Sequence, residues 1–382
     1  MKNILSRALV LFLLIAVLAG CASPSEQTAT APAAAPTDAA APTGETEPNP
    51  QPTEPASAGP ATLNVMTHDS FAVTEDIIRQ FEQENNVTLN FIKSGDAGSA
   101  LNRAILSKGA PLADVFYGVD NTFLSRALQE EVFDPYASAL LADIPDAFEL
   151  DAEHRALPVD YGDVCINYDK AYFAEKNLAV PGSLADLNRP EYKDLLVVEN
   201  PATSSPGLAF LLMSIDQFGE DGYLQYWEEL RANGVVVAND WEAAYYTNFS
   251  GSSGRGPQPM VVSYSSSPVA EVVFAERPLD ESPTASIVAP GTCYRQIEFV
   301  GILKGTQQRA LAEKFVDFLL SVPFQEDMPL QMFVYPVNQN AALPESYQKF
   351  AQAAEQPVTM DPAQIAENRE KWIQEWDEVV LR

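Results

Sequence analysis

Short apolar runs alternate with stretches at helical spacing along most of the chain. Leu63-Asn64-Val65-Met66-Thr67 has the length of a buried strand. Thr74 follows as a helix cap, and Ile77, Ile78 and Phe81 share one face of a helix to about Glu84. Thr88 to Ile92 alternates as a second strand, and Gly98 to Ser107 carries Leu101, Ala104 and Ile105 at helical spacing. Val115-Phe116-Tyr117 is a third strand and Thr122 to Gln129 a third helix. This order predicts a mostly parallel sheet with helices on both faces. In such sheets a ligand sits beyond the strand C-terminal ends, here at Thr67-His68-Asp69-Ser70, Ser94 to Gly98 and Gly118 to Asn121.

A second unit opens near Leu157-Pro158-Val159-Asp160-Tyr161-Gly162. Strands are expected at Val164 to Tyr168, Leu195 to Val198, Val235 to Val237 and Met260 to Ser263, and a helix begins at Ser183 to Leu187. The turn Asn200 to Gly207 opens a helix through Phe218, and Asn239-Asp240-Trp241 and Tyr264 to Pro268 close two of the strands. Ile297 to Leu303 is a late strand, followed by a helix from Gln308 to Leu320. Asp361 caps a last helix with Pro362 at its first position; Ile365, Trp372, Ile373, Trp376 and Val380 form its apolar stripe. The Ser- and Gly-rich insert Asn248 to Gln258 reads as a surface loop.

The N-terminus departs from this alternation. Lys2 and Arg7 precede an uncharged apolar run, Ala8 to Ala19, that is short against the ~20 residues of a membrane span and fits an export signal. The run ends in Leu18-Ala19-Gly20-Cys21, which resembles the lipobox of bacterial lipoproteins; an ordinary signal peptide with a chance cysteine is the other reading. Residues 22–60 hold 9 Pro, 11 Ala, five acids, no base and no aromatic residue, so they form an extended tether rather than a core.

Charge narrows the partners. The 382 residues carry 23 Lys and Arg against 53 Asp and Glu, a net of −30, and residues 61–382 alone carry −27. Nucleic acid and anionic membrane surfaces are thereby disfavoured, and cationic ligands favoured. Three cysteines and two histidines are too few for a usual Cys/His zinc site. There is no Walker loop, no G-x-G-x-x-G and no G-x-S-x-G elbow. His68-Asp69-Ser70 are adjacent in a tight loop and make no triad.

The remaining candidates are binding groups. Thr203-Ser204-Ser205-Pro206-Gly207 reads as a capped helix or as an anion site at a helix end. Trp241, at a strand end, stacks on a flat or cationic ring or packs a loop. Asp96, between glycine and alanine, forms the turn or pairs with a cation.

Seven stretches, in order from about residue 62 to the end, resemble the thiamine-binding branch of the solute-binding proteins of bacterial ABC importers. They are Thr67 to Phe71, Ser99 to Arg103, Val159 to Gly162, Thr203 to Leu208, Ser263 to Pro268, Tyr335-Pro336-Val337 and Trp372 with Glu375-Trp376. The resemblance implies an α/β, two-lobed type II periplasmic-binding-protein fold, each lobe a mostly parallel sheet flanked by helices. Residues 1–20 are then the lipoprotein signal, and 21–60 the lipidated Cys21 and tether. Lobe 1 is 61–158 with 293–382, and lobe 2 is 159–292. Thiamine or its mono- or diphosphate lies in the interlobe cleft, and an ABC permease and its ATPase receive it. The protein is a monomer held by its lipid on the outer face of the membrane, with no cofactor, metal or catalysis.

By the same resemblance Asp96 and Ala97 form an acidic loop at the ligand, and Ser204 and Ser205 a hydroxyl pair. Trp241 stacks, and Tyr264, Ser265, Ser266 and Ser267 line the cleft. The family's tyrosine is replaced by His68, its glycine by Ala97, a tyrosine near Ala270 is absent, and a tryptophan is replaced by Phe333. A charged His68 would favour a phosphate ester over bare thiamine. Cys165 and Cys293, each beside an interlobe crossing, are expected to pair in an oxidising compartment. A binder of another cation such as a polyamine, a ferric-iron binder and a secreted thiamine-modifying enzyme are the competing readings.

Overall fold

The computed structural model describes residues 59–252 and 256–382. The leader, Cys21 and the tether to residue 58 lie outside the described residues, as does the middle of the Ser/Gly insert.

The first half runs β1 (Ala61–Thr67), α1 (Glu75–Asn85), β2 (Val87–Lys93), α2 (Ala97–Leu106), β3 (Val115–Asp120), α3 (Leu124–Gln129) and β4 (Phe133–Asp134). Then come β5 (Leu157–Asp169), α4 (Lys170–Lys176), β6 (Leu196–Glu199), α5 (Ser205–Phe218), α6 (Tyr223–Ala232), β7 (Val236–Ala238), β8 (Met260–Tyr264), α7 (Ser267–Val273) and β9 (Thr284–Ile287). The chain closes with β10 (Tyr294–Leu303), α8 (Arg309–Leu320), α9 (Val322–Gln331), β11 (Tyr335–Pro336), α10 (Glu345–Phe350) and α11 (Pro362–Val380).

One sheet in the order β2-β1-β3-β10-β5-β8-β6-β7 links these elements. Its flanks are parallel: β1 pairs with β2 and β3, and β6 with β7 and β8. Its centre is antiparallel, because β10 runs against both β3 and β5, and β5 against β8. Alternate residues feed two different cores. Val115, Tyr117, Val300 and Ile302 pack with α8 residues such as Phe315, whereas Phe116, Phe299 and Leu303 pack in the core that holds α5. Both faces are covered, which is why these strands read as unbroken apolar runs.

The last helix forms as its sequence predicts. The Asp361 side chain accepts from the Ala363 N–H, and Trp372 and Trp376 are buried. Trp376 stands edge-on to Trp227 of α6 at 5.5 Å, and Tyr223 donates to Glu375 at 2.6 Å. α11 therefore packs on α6, and on α3 as well.

Three local expectations change. Ser183 to Leu187 yields only a short 3-10 turn, Ala185–Asn188. The ends of the Ser/Gly insert are anchored, with Phe249 fully buried and bridged to Gln258. Trp241 opens a helical turn rather than a loop, because Asp240 accepts from the Ala243 N–H at 2.7 Å and starts the π-helical segment Ala243–Asn248.

Cys165 and Cys293 form a disulfide. The β5–β10 register ends at Val164 opposite Tyr294, so the two cysteines are the next facing pair of the same ladder.

Candidate functional site

The loops after β1, β2, β7 and β8 converge with the β10 centre and the segment after α9 on a cavity of about 260 Å³. It brings together His68, Asp96, Ser205, Trp241, Tyr264, Ser267 and Phe333 from the sequence candidates, with Ala270 also on its wall. Ala97, Ser204, Ser265 and Ser266 do not line it. All four are buried.

One wall is aromatic. Trp241 stacks on Tyr245 with centroids 5.0 Å apart and planes 18° apart, and Tyr264 meets it at a steep angle. The indole N–H donates to Ser263 Oγ at 2.9 Å, and Ser263 in turn contacts Ser267 Oγ at 2.9 Å. The backbone N–H of Trp241 donates to Asp96 Oδ2 at 3.2 Å. Asp96 caps α2, so one carboxylate joins the first half of the chain to the tryptophan of the second. Gly98 permits this approach. Its N–H donates to Thr203 O at 3.0 Å, and a Cβ there would stand 2.8 Å from that same oxygen.

The opposite wall carries Phe333, packed edge-on to Phe274 at 5.4 Å. Phe333 adopts φ +58°, a conformation uncommon for a bulky side chain. The Ser266 hydroxyl donates to the Phe333 carbonyl and holds it there. Ser266 thus helps to position an aromatic residue of the cavity wall.

Glu298 brings an acid to the lining, and two buried acids, Asp120 and Asp160, stand behind it. In the sheet register Glu298 faces Asp120 of β3 on one side and Asp160 of β5 on the other, so three carboxyls lie in one cross-strand row. Facing like charges repel, and burial raises that cost. The row is relieved in three ways. Tyr117 donates to Asp160 at 2.6 Å and lies 3.0 Å from Glu298 Oε2. Thr122 and Ser205 donate to Asp120. His68 Nε2 lies 3.6 Å from Glu298 Oε2. His68 fits against β3 because Gly118, at φ +102°, has no side chain; a Cβ there would stand 2.4 Å from the imidazole.

Protonation follows from these contacts. Burial pushes Asp160 well above the carboxylate range, and neighbouring Glu298 adds to it. Burial raises Asp120 to about 6 against the lowering hydrogen bonds of Ser205 and Thr122. Burial would also raise Glu298, but the His68 charge and its hydrogen bonds prevail and hold it low. Burial would hold His68 neutral; Glu298 more than offsets this and raises its pKa. Asp96 is raised by burial, with Ser204, His68 and the Trp241 N–H opposing. The charge expected on His68 is therefore matched by Glu298.

Glu298, Tyr245 and Ser263 escaped the sequence reading as site residues. A lone acid inside the apolar run Ile297 to Leu303 was the available signal for Glu298. Tyr245 follows Trp241 at helical spacing, but only once Asp240 is recognised as starting a helical turn. Among the described residues no group of three or more His, Cys, Asp or Glu is set to hold a metal ion.

A two-flanked α/β sheet around a cleft lined by rings and carboxylates is the architecture of a solute receptor. The chain belongs to the bacterial extracellular solute-binding proteins, whose family model matches residues 110–354. The thiamine-binding periplasmic protein of Salmonella typhimurium is 32% identical over 333 residues, 86% of this chain and 96% of that protein. That of Escherichia coli is 31% identical over 337 residues, again 86% and 96%. A solved periplasmic thiamin binding protein superposes with a TM-score of 0.74 at 27% identity, covering 86% of this chain and 98% of that one. The fold is that of the type II periplasmic binding proteins.

Proposed function

We propose that this chain captures thiamine, free or as its mono- or diphosphate, outside the cytoplasm and delivers it to an ABC importer. The observation that carries the reading is Trp241, stacked on Tyr245 and tied through its backbone to Asp96. Thiamine joins a permanently charged thiazolium to an aminopyrimidine. An indole face suits the first, worth ~0.5–2 kcal/mol for a cation over the ring. A buried carboxylate suits both the charge and the amino group. Relatives named for thiamine binding align along nearly their whole length.

On this reading the protein binds and releases without a catalytic step. Residues 61–158 with 293–382 form one lobe and 159–292 the other. β5 and β10 cross between them, and closure presents the loaded form to the permease. The leader 1–20 is removed, Cys21 carries the lipid, and residues 22–60 let a monomer reach its partner while anchored on the outer face of the membrane.

A polyamine is the second reading, favoured by the four acids of the cavity lining, Asp69, Asp96, Glu242 and Glu298. Titration calorimetry of the full chain with thiamine and with spermidine separates them. Heat from thiamine with tryptophan quenching supports the proposal; heat from spermidine alone replaces it.

A further inference from the structure

Ser263 ends the apolar run Met260-Val261-Val262 of β8. Side chains alternate along a strand, so Ser263 shares a face with Val261. Met260 and Val262 pack in the core that holds α5, whereas Val261 packs with Tyr245 and Phe249 in a smaller cluster to which Trp241 adds its ring. Ser263 is fully buried and is not part of the cavity lining. It reaches the aromatic wall through one hydrogen bond, the Trp241 indole N–H donating to Ser263 Oγ at 2.9 Å.

The direction of the bonds around Ser263 follows from what each group can do. The indole nitrogen only donates, so Ser263 Oγ accepts from it. The Tyr264 N–H also only donates, and it donates to Ser267 Oγ at 3.3 Å. The two hydroxyls stand 2.9 Å apart with one hydrogen between them. Were Ser267 the donor, the Ser263 hydrogen would be left buried without an acceptor among the described residues, at the cost of an unmade bond. Ser263 therefore donates to Ser267, and the chain runs one way, from the indole through Ser263 to the start of α7.

Trp241 has two other restraints, its backbone N–H on Asp96 and its face on Tyr245. The backbone bond leaves both side-chain torsions free, and stacking tolerates turning of the ring in its own plane. Only the bond to Ser263 opposes that turning. Building on the thiamine reading above, we infer that Ser263 is a positioning residue, which fixes the orientation in which the Trp241 ring meets the ligand. Without the Ser263 hydroxyl the indole N–H loses its acceptor and the ring can turn, so that binding must order it.

The test is titration calorimetry of the full chain with thiamine, in a cycle of Ser263→Ala and Trp241→Phe. Ser263→Ala is expected to weaken binding by about three- to thirtyfold, the loss of one hydrogen bond to a half-buried donor. Ser263→Thr, which keeps the hydroxyl, should recover most of that loss. Phenylalanine has no N–H to hold, so Ser263→Ala added to Trp241→Phe should cost no further affinity. An equal loss in both backgrounds overturns the inference, since Ser263 then acts on the fold and not through the indole. Unchanged binding by Ser263→Ala overturns it too. Should that variant fail to fold, Ser263→Cys, whose sulfur is a weak acceptor, takes its place with the same outcomes. Failure of the cycle on a chain that binds thiamine overturns the inference alone, whereas no binding by the unaltered chain overturns the thiamine reading and the inference with it.

Discussion

Trp241 is fixed from three sides: its indole N–H on Ser263, its backbone N–H on Asp96, and its face on Tyr245. A ring held in this way has little ordering left to do on binding. Trp241→Ala should therefore weaken thiamine binding by about ten- to a hundredfold, the sum of a cation–π and a stacking contribution. Trp241→Phe should recover part of it, and calorimetry on the two variants checks both. The buried acids make a second prediction, on pH. Asp120 is raised to about 6 and Asp160 is raised further, so ionising them costs folding stability as pH climbs above the ordinary carboxylate range. The ion pair that raises His68 is fully present below its unfolded pKa of ~6.5 and is lost as pH rises through the folded value. Glu298, held low, stays ionised from pH 5 upward. All three shifts make the ligand-free protein relatively more stable at pH 5 than at pH 7.5. A bound cation favours ionised Asp120 and uncharged His68, so binding releases protons and tightens as pH rises across that window. Melts at the two pH values, with and without thiamine, should show the larger ligand-induced rise at pH 7.5. At this scale the resemblance placed seven lining residues by position. Glu298 showed only as a lone acid in an apolar run, because it takes the register of β3, β10 and β5 to reveal that it faces two other acids.

Elements with a local code were legible, and elements made by tertiary packing were not. α11 has a cap, a proline at its first position and an apolar stripe, and it forms with nearly the bounds its sequence predicts. α9 has Pro329 inside it and a sequence without a clean apolar face, and its burial of Phe324 and Met328 supplies what local propensity lacks. The alternation was read closely on the first flank, whereas on the second α4 and α6 were missed and a helix was expected at Ser183 to Leu187. The antiparallel centre was not read, because β5 and β10 are long strands whose partners are set by the whole sheet. These same strands carry the disulfide between Cys165 and Cys293. Since it closes a loop of over a hundred residues, replacing both cysteines by serine should cost about 2–5 kcal/mol. Denaturant unfolding should show a lower midpoint with an unchanged slope. Loss of thiamine binding in a fully folded double variant would instead mean that the bond holds the cleft open or shut. Trp376→Ala, which empties the junction between α11 and α6, should cost about 3–5 kcal/mol in the same measurement.

Over the whole molecule the strongest signal was present in composition alone. The net charge of −30 belongs mainly to residues 61–382, and the fold concentrates part of it at one cavity. A negative field focused on a cleft raises the local concentration of a cation and speeds its capture. Exposed charges act over a Debye length of about 10 Å at 0.1 M salt, whereas the buried row acts at contact range and is screened much less. The two contributions can be separated by kinetics. In stopped-flow tryptophan fluorescence, the association rate of thiamine should fall by up to about tenfold as salt rises from ~0.01 M to ~0.3 M. On the proposed reading the dissociation rate should change little, because a cation held by Asp96, Glu298 and the ring wall would be shielded from the bulk ions. A salt-insensitive association rate would show that the surface acids keep the protein soluble but do not steer its ligand, and that capture depends on the cleft alone.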